Sequence, residues 1–200
     1  MKTQRPLWPT AIAFAGWLAT LIALTLSSMA GAANPSTADH SKFKELQQPF
    51  ATGPDVTKAC LTCHTEAAKQ VHKTKHWTWE FLNPENNQRL GKKNVLNNFC
   101  ISISQNYPFC TSCHAGYGWK DKNFDFTSEV NVDCLACHDT TGNYKKLPGL
   151  AGHPVYKEME FPPGSGKIVK PVDLSKIAQK VGKSSRDNCG ACHFAGGGGD

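Results

Sequence analysis

Nowhere along this 200-residue chain do apolar and polar residues alternate with the sustained period of two that marks a strand. Short helical spacings recur instead, separated by irregular stretches. One apolar run stands apart. Ala11 to Leu26 (AIAFAGWLATLIALTL) follows Lys2 and Arg5 and precedes Ser28-Met29-Ala30-Gly31-Ala32-Ala33. That order is the layout of a secretory signal, with cleavage after Ala30, Ala32 or Ala33. Residues 1–32 are therefore read as a signal peptide and 33–200 as one exported domain. An uncleaved membrane anchor is the alternative, because Leu7 to Leu26 approaches spanning length.

Along the exported part, Asn34 to Gly53 is polar, contains Pro35 and Pro49, and reads as an extended lead. Asp55 or Thr57 is placed to cap a helix running through Glu66-Ala67-Ala68-Lys69-Gln70 towards His76. Asn83-Pro84 and Asn86-Asn87 predict a turn. Asn94 to Cys100 has no defined pattern. Pro108 is a helix-starting signal. Gly116 to Phe126 is rich in glycine and aromatics and predicts a packed loop. A short helix ends by Gly142, and Leu147 to Pro171 is a long Pro/Gly-rich segment of the kind that carries function. Leu174, Ile177, Ala178 and Val181 recur at helical spacing behind Asp173, and Gly182 stops that helix. Ser184-Ser185-Arg186-Asp187 resembles a capping box opening a last helix. The fold class expected is mainly α with extensive irregular loops.

Four Cys-x-x-Cys-His runs sit on these short helices: Cys60-Leu-Thr-Cys63-His64, Cys110-Thr-Ser-Cys113-His114, Cys134-Leu-Ala-Cys137-His138 and Cys189-Gly-Ala-Cys192-His193. Each reads as one c-type haem attachment site. Cysteines three apart share one side of a helical turn, so both thiols reach one porphyrin edge, and the next residue turns its imidazole under the ring. The competing readings are zinc, for which a Cys-x-x-Cys pair is half of a tetrahedral site, and a redox disulfide; neither explains His in the fifth position four times. Four covalent haems are expected, and the fold is a multihaem cytochrome c wrapped around them. Such haem is attached outside the cytoplasm in bacteria, which agrees with the signal and places the protein in the periplasm.

The haems change what the charge means. The formal +6 loses the two positive residues of the signal and becomes +4. Each haem carries two propionates, in all about eight negative charges before ferric iron is counted. The basic composition therefore gives no reason to expect a nucleic-acid partner. The partner expected is a periplasmic or membrane electron donor.

An electron-transfer haem takes two strong axial ligands. His64, His114, His138 and His193 are the proximal ones. His76, His153, His40 and His72 remain as candidate distal ligands. Cys100, the ninth cysteine, lies outside every motif. It reads either as a buried structural thiol or as a nucleophile toward a sulfur–sulfur bond beside a haem.

The runs around Cys60–His64, Asn97-Asn98-Phe99-Cys100-Ile101, Cys110 to Lys120, and Cys189–His193 with its Gly-rich follower resemble the tetrathionate reductase family of octahaem c-type cytochromes. The resemblance implies eight haems in a full-length protein and a chain truncated at its C-terminus, since four motifs are present. It implies reduction of a small sulfur or nitrogen oxyanion such as tetrathionate, nitrite or hydroxylamine. It places Cys100 beside the catalytic haem, for which the nearest motif in sequence is Cys110–Cys113. It also implies a lysine on the catalytic iron, for which Lys120, Lys122, Lys157, Lys167, Lys170 and Lys183 are candidates. A stand-alone tetrahaem electron carrier without a substrate site is the alternative. Half an octahaem core would leave apolar haem surface bare, so poor solubility or a homo-oligomer is expected.

Overall fold

The computed structural model describes residues 38–94 and 103–194. The signal segment, Cys100 and the Gly-rich end lie outside the described residues. The elements are short. Helix α1 spans Gly53–Leu61, α2 Ala67–His72, α3 Lys75–Thr78, α4 Tyr107–Cys110, α5 Leu135–His138, α6 Leu174–Ala178 and α7 Arg186–His193. Single 3₁₀ turns lie between them, and one of them, Thr111–Cys113, continues α4 through the second motif. Two-residue ladders are the only strands among the described residues: β1 Phe81–Leu82 with β2 Arg89–Leu90, and β3 Met159–Glu160 with β4 Ile168–Val169, both antiparallel. The first closes around the Asn83–Asn87 turn expected from sequence. The second lies inside the long Pro/Gly-rich segment, where no strand was expected.

The long first helix expected from Asp55 or Thr57 to His76 is three helices. Its cap is Thr52, and Asp55 stands at the third helical position, accepting from the Thr52 N–H at 2.9 Å in a capping box. Thr57 is no cap; it is buried in the helix and donates to Val132 O at 2.6 Å. The two breaks share a cause. Thr62 Oγ1 donates to Ala59 O and Thr74 Oγ1 to Val71 O, each at 2.7 Å. A threonine hydroxyl that takes the carbonyl three residues back competes with the helical ladder and ends it.

Other signals hold. Asp173 caps α6 by accepting from Lys176 N at 2.9 Å, and Leu174, Ile177 and Ala178 bury the expected stripe. The capping box of α7 is closed by Ser185 and Asn188 rather than Asp187. The α6 stripe packs with Val56 of α1, Leu46, Leu135 of α5, Tyr117 and Tyr144 into one core. Ala68, Trp77 and Val132 form a second cluster, and Trp79, Ile103 and Trp119 a third. The Gly/aromatic loop 116–126 packs Trp119, Phe124 and Phe126 around the ring of His114. No helix among the described residues is long and apolar enough to cross a membrane.

Gly53 opens α1 directly beneath Tyr117, where a Cβ would fall inside the phenol ring. Helix propensity favours alanine by about 1 kcal/mol, but overpacking a full site costs about 1–3 kcal/mol. Gly53→Ala is therefore expected to lower stability, by about 1–2 kcal/mol in thermal unfolding of the haem-loaded chain; an unchanged or raised midpoint contradicts this packing.

Candidate haem centres

The four motifs converge although they are spread over more than 130 residues. In the first, α1 carries Cys60 near its end, and the following turn delivers Cys63 and His64. A cavity of about 500 Å³ opens there, lined by Cys60, Cys63, His64, His40, Cys134 and His138 among others. Its size is within the roughly 300–1,000 Å³ of cofactor pockets. His40 lies across it from His64, their ring centres 6.3 Å apart. The His40 Nδ1 is buried with no hydrogen-bond partner.

That distance has a meaning. A metal ion held between two imidazoles at about 2.0–2.1 Å from each ring nitrogen would set the two ring centres roughly 6.4 Å apart. The His76 and His193 rings meet the same requirement at 6.1 Å. His64 and His193, expected as proximal ligands, thus each lie close to a histidine of the candidate distal set, and each pair joins separate segments. His76 is carried by α3 and His193 by the last residue of α7.

The third motif shows how a ligand is oriented before iron arrives. His138 Nδ1 lies 2.8 Å from Gly182 O, and Gly182 N donates to His138 O at 2.9 Å. An Nδ1–H donated to a carbonyl fixes the tautomer and leaves Nε2 for a metal. At the second motif the roles reverse. His114 is buried, its Nε2 is 2.7 Å from Trp77 O, and its Nδ1 is the buried nitrogen without a partner. Burial depresses its pKa to about 4, against a weaker opposing effect of the Trp77 carbonyl. A neutral imidazole is the form that binds iron.

The remaining candidates are placed differently. His153 stacks on Tyr117 with centres 5.6 Å apart, and its Nδ1 is 2.9 Å from the Tyr156 hydroxyl, which leaves Nε2 for a ligand role. Desolvation lowers its pKa. His72 stacks on Trp77 at 4.5 Å and has a buried, unpartnered Nε2. Neither ring is brought opposite a proximal histidine. Trp77, expected to cover a porphyrin, lies between His72 and His114 and donates its indole N–H to Phe126 O at 2.9 Å.

The attachment thiols adjoin in a non-sequential order. Cys60 and Cys134 line one cavity; proximity to Cys134 pulls the Cys60 thiol down in pKa and pushes Cys134 up, and proximity to Cys192 does the same for Cys113 and Cys192. Cys113 falls to about 6, chiefly through Cys192 and then through the positive charges of Lys92 and Lys146. Helix α5 packs on α7, and Asn188 Nδ2 donates to Asp139 O at 2.9 Å. The motifs therefore neighbour one another as first–third–fourth–second. Among the described residues, no three His, Cys, Asp or Glu side chains gather as they would around a metal ion alone.

All six lysines considered from sequence are exposed. Lys183 lines the first cavity. The buried lysine is Lys146, which was not among them, and it pairs with Asp133 at 2.9 Å with side-chain exposures of 7% and 0%. Nothing in sequence separates Lys146 from its exposed neighbour Lys145. Asp133 had a signal, being an acidic residue placed just before a motif helix, and it accepts from Ala136 N at 3.0 Å.

Residues 59–139 match the family described as cytochrome c554 and c-prime. The chain is similar to the octaheme cytochrome c of Shewanella oneidensis, with 51% identity and a TM-score of 0.68 over 80% of this chain and 34% of that one. The chain thus spans about a third of the length of the octaheme cytochrome it matches. No curated protein sequence matches it.

The histidine pairs predict distinct spectra. His40→Ala and His76→Ala should each convert one low-spin haem signal to high spin, a different one in each variant, in the low-temperature electron spin resonance spectrum of the oxidised chain. A His40→Ala spectrum with every low-spin signal intact would show that His40 is not an axial ligand.

Proposed function

Since this chain is a multihaem c-type cytochrome related to octaheme cytochrome c, we propose that it is the haem-bearing part of a periplasmic reductase of small sulfur or nitrogen oxyanions. Bound haems supply one-electron storage and transfer, and at one iron a position where an anion can bind. The residues that hold them are the four thiol pairs, with His64, His114, His138 and His193 on the proximal side. His40 and His76 close two sites with a second imidazole, which excludes substrate there. The signal-like segment 1–32 is proposed to deliver the chain to the periplasm.

The anion is proposed to bind at the second motif. The observation that carries this is the placement of two ammonium groups around His114: Lys146 Nζ donates to its carbonyl at 2.5 Å, and Lys92 Nζ lies 5.1 Å over the Trp79 ring that packs on its imidazole. A fixed cationic environment favours an oxyanion. Cys100, ten residues before Cys110, is proposed to attack the central sulfur–sulfur bond of tetrathionate as a thiolate, forming a mixed disulfide with one thiosulfate and releasing the other; two electrons from the proposed electron donor and one proton then free the second thiosulfate and restore the thiol.

The carrier reading keeps one observation of its own: the two facing histidine pairs are what electron-transfer haems require. The readings separate on one experiment. With the haem-loaded chain, nitrite, sulfite and tetrathionate are added in turn and the electron spin resonance spectrum is followed. One haem signal should respond to an anion, and the tetrathionate response should be lost in Cys100→Ala. Four low-spin signals indifferent to all three anions would support the electron carrier and end the reductase proposal.

A further inference from the structure

Between the second and third motifs lies a buried polar network that haem attachment does not use. Asp133 stands immediately before Cys134. Its Oδ1 accepts from the Tyr117 hydroxyl at 2.8 Å and from Ala136 N at 3.0 Å. Its Oδ2 accepts from the Tyr144 hydroxyl at 3.0 Å and from Lys146 Nζ at 2.9 Å. Four donors meet the about four lone-pair sites of one carboxylate. Lys146 Nζ also donates to His114 O at 2.5 Å and approaches Gly116 O at 3.5 Å. Both ionic groups are enclosed by protein, so neither is screened by solvent.

The pair has a direction. Its carboxylate is built into the start of the third motif. Its ammonium is seated on the backbone carbonyl of the second motif's histidine. A buried pair fully provided with donors is more than stability requires, because a well-packed apolar pair often serves as well. What an apolar pair cannot supply is a field directed from one of the two motifs it bridges to the other. Positive charge near a haem favours its reduced form and negative charge favours the oxidised form.

We propose that the Asp133–Lys146 pair is a positioning element that clamps the second and third haem motifs together and holds the haem on Cys110 and Cys113 at a higher reduction potential than the haem on Cys134 and Cys137. The contacts carry the same polarity: Lys146 Nζ meets the second motif at His114 O, and Asp133 Oδ1 meets the third at Ala136 N. Electrons are thereby drawn to the second motif. This inference rests on the multihaem reading and stands whether or not an oxyanion is the substrate.

The test is a redox titration of the haem-loaded chain, with each haem followed through its own electron spin resonance signal. The main variant is Lys146→Met with Asp133→Asn, which removes both charges and leaves no bare ion. The potential of the second-motif haem should fall, that of the third-motif haem should rise, and the gap between them should narrow. Lys146→Arg, which retains the charge, should retain most of the gap. A merely structural brace would not move the two potentials in opposite directions. Should the double variant fail to load four haems, Tyr144→Phe decides. It removes one donor from Asp133 Oδ2, leaves the ion pair, and should lower only the third-motif potential. An unchanged gap in the double variant, or no lowering in Tyr144→Phe, overturns the inference. Absence of four covalent haems in the parent chain would instead overturn the multihaem reading itself.

Discussion

In a c-type haem site two thioether bonds and one iron–nitrogen bond confine a porphyrin to five consecutive residues, and the four Cys-x-x-Cys-His runs set that spacing along this chain. The first and last motifs ride on the ends of α1 and α7, the longest helices described, and the second and third on single turns at α4 and α5. Helices this short are marginal on their own, because nucleation is costly and few residues repay it. Their order comes from packing and from caps such as Thr52–Asp55, Asp173 and Ser185–Asn188. A flat apolar cofactor bonded at such a turn would add the remaining surface that these elements lack.

The same constraint explains the mixed character of the core. Small aliphatic clusters around Val56, Leu135 and Ile177 sit beside aromatic cages around His114 and beside a saturated polar network at Asp133. Apolar packing alone would set no relation between one motif and the next. Directional bonds do: the mutual Gly182–His138 bonds, Asn188 to Asp139 O, Thr57 to Val132 O, and Lys146 to His114 O. These tie motifs distant in sequence into the order first–third–fourth–second.

Much of this was legible in the sequence, and the limits have physical causes. The motifs carry their chemistry in five adjacent residues, so their role needs no tertiary knowledge. The α6 stripe and its Asp173 cap are local signals and are found where expected. The breaks at Thr62 and Thr74 were missed because a threonine's choice between solvent and the carbonyl three residues back is set by its surroundings. The β3–β4 ladder is two residues long and leaves no period to read. The pairing of His40 with His64 and of His76 with His193 joins residues that only the folded chain brings together. Lys146 looks like any other lysine until its burial is known.

The measurement closest to the central claim is the intact mass of the exported, purified chain, combined with thiol alkylation under denaturing conditions. The account predicts four covalent haems and one alkylated cysteine, Cys100, because the eight motif thiols are consumed as thioethers. Fewer than four haems, or motif cysteines that alkylate, would contradict it.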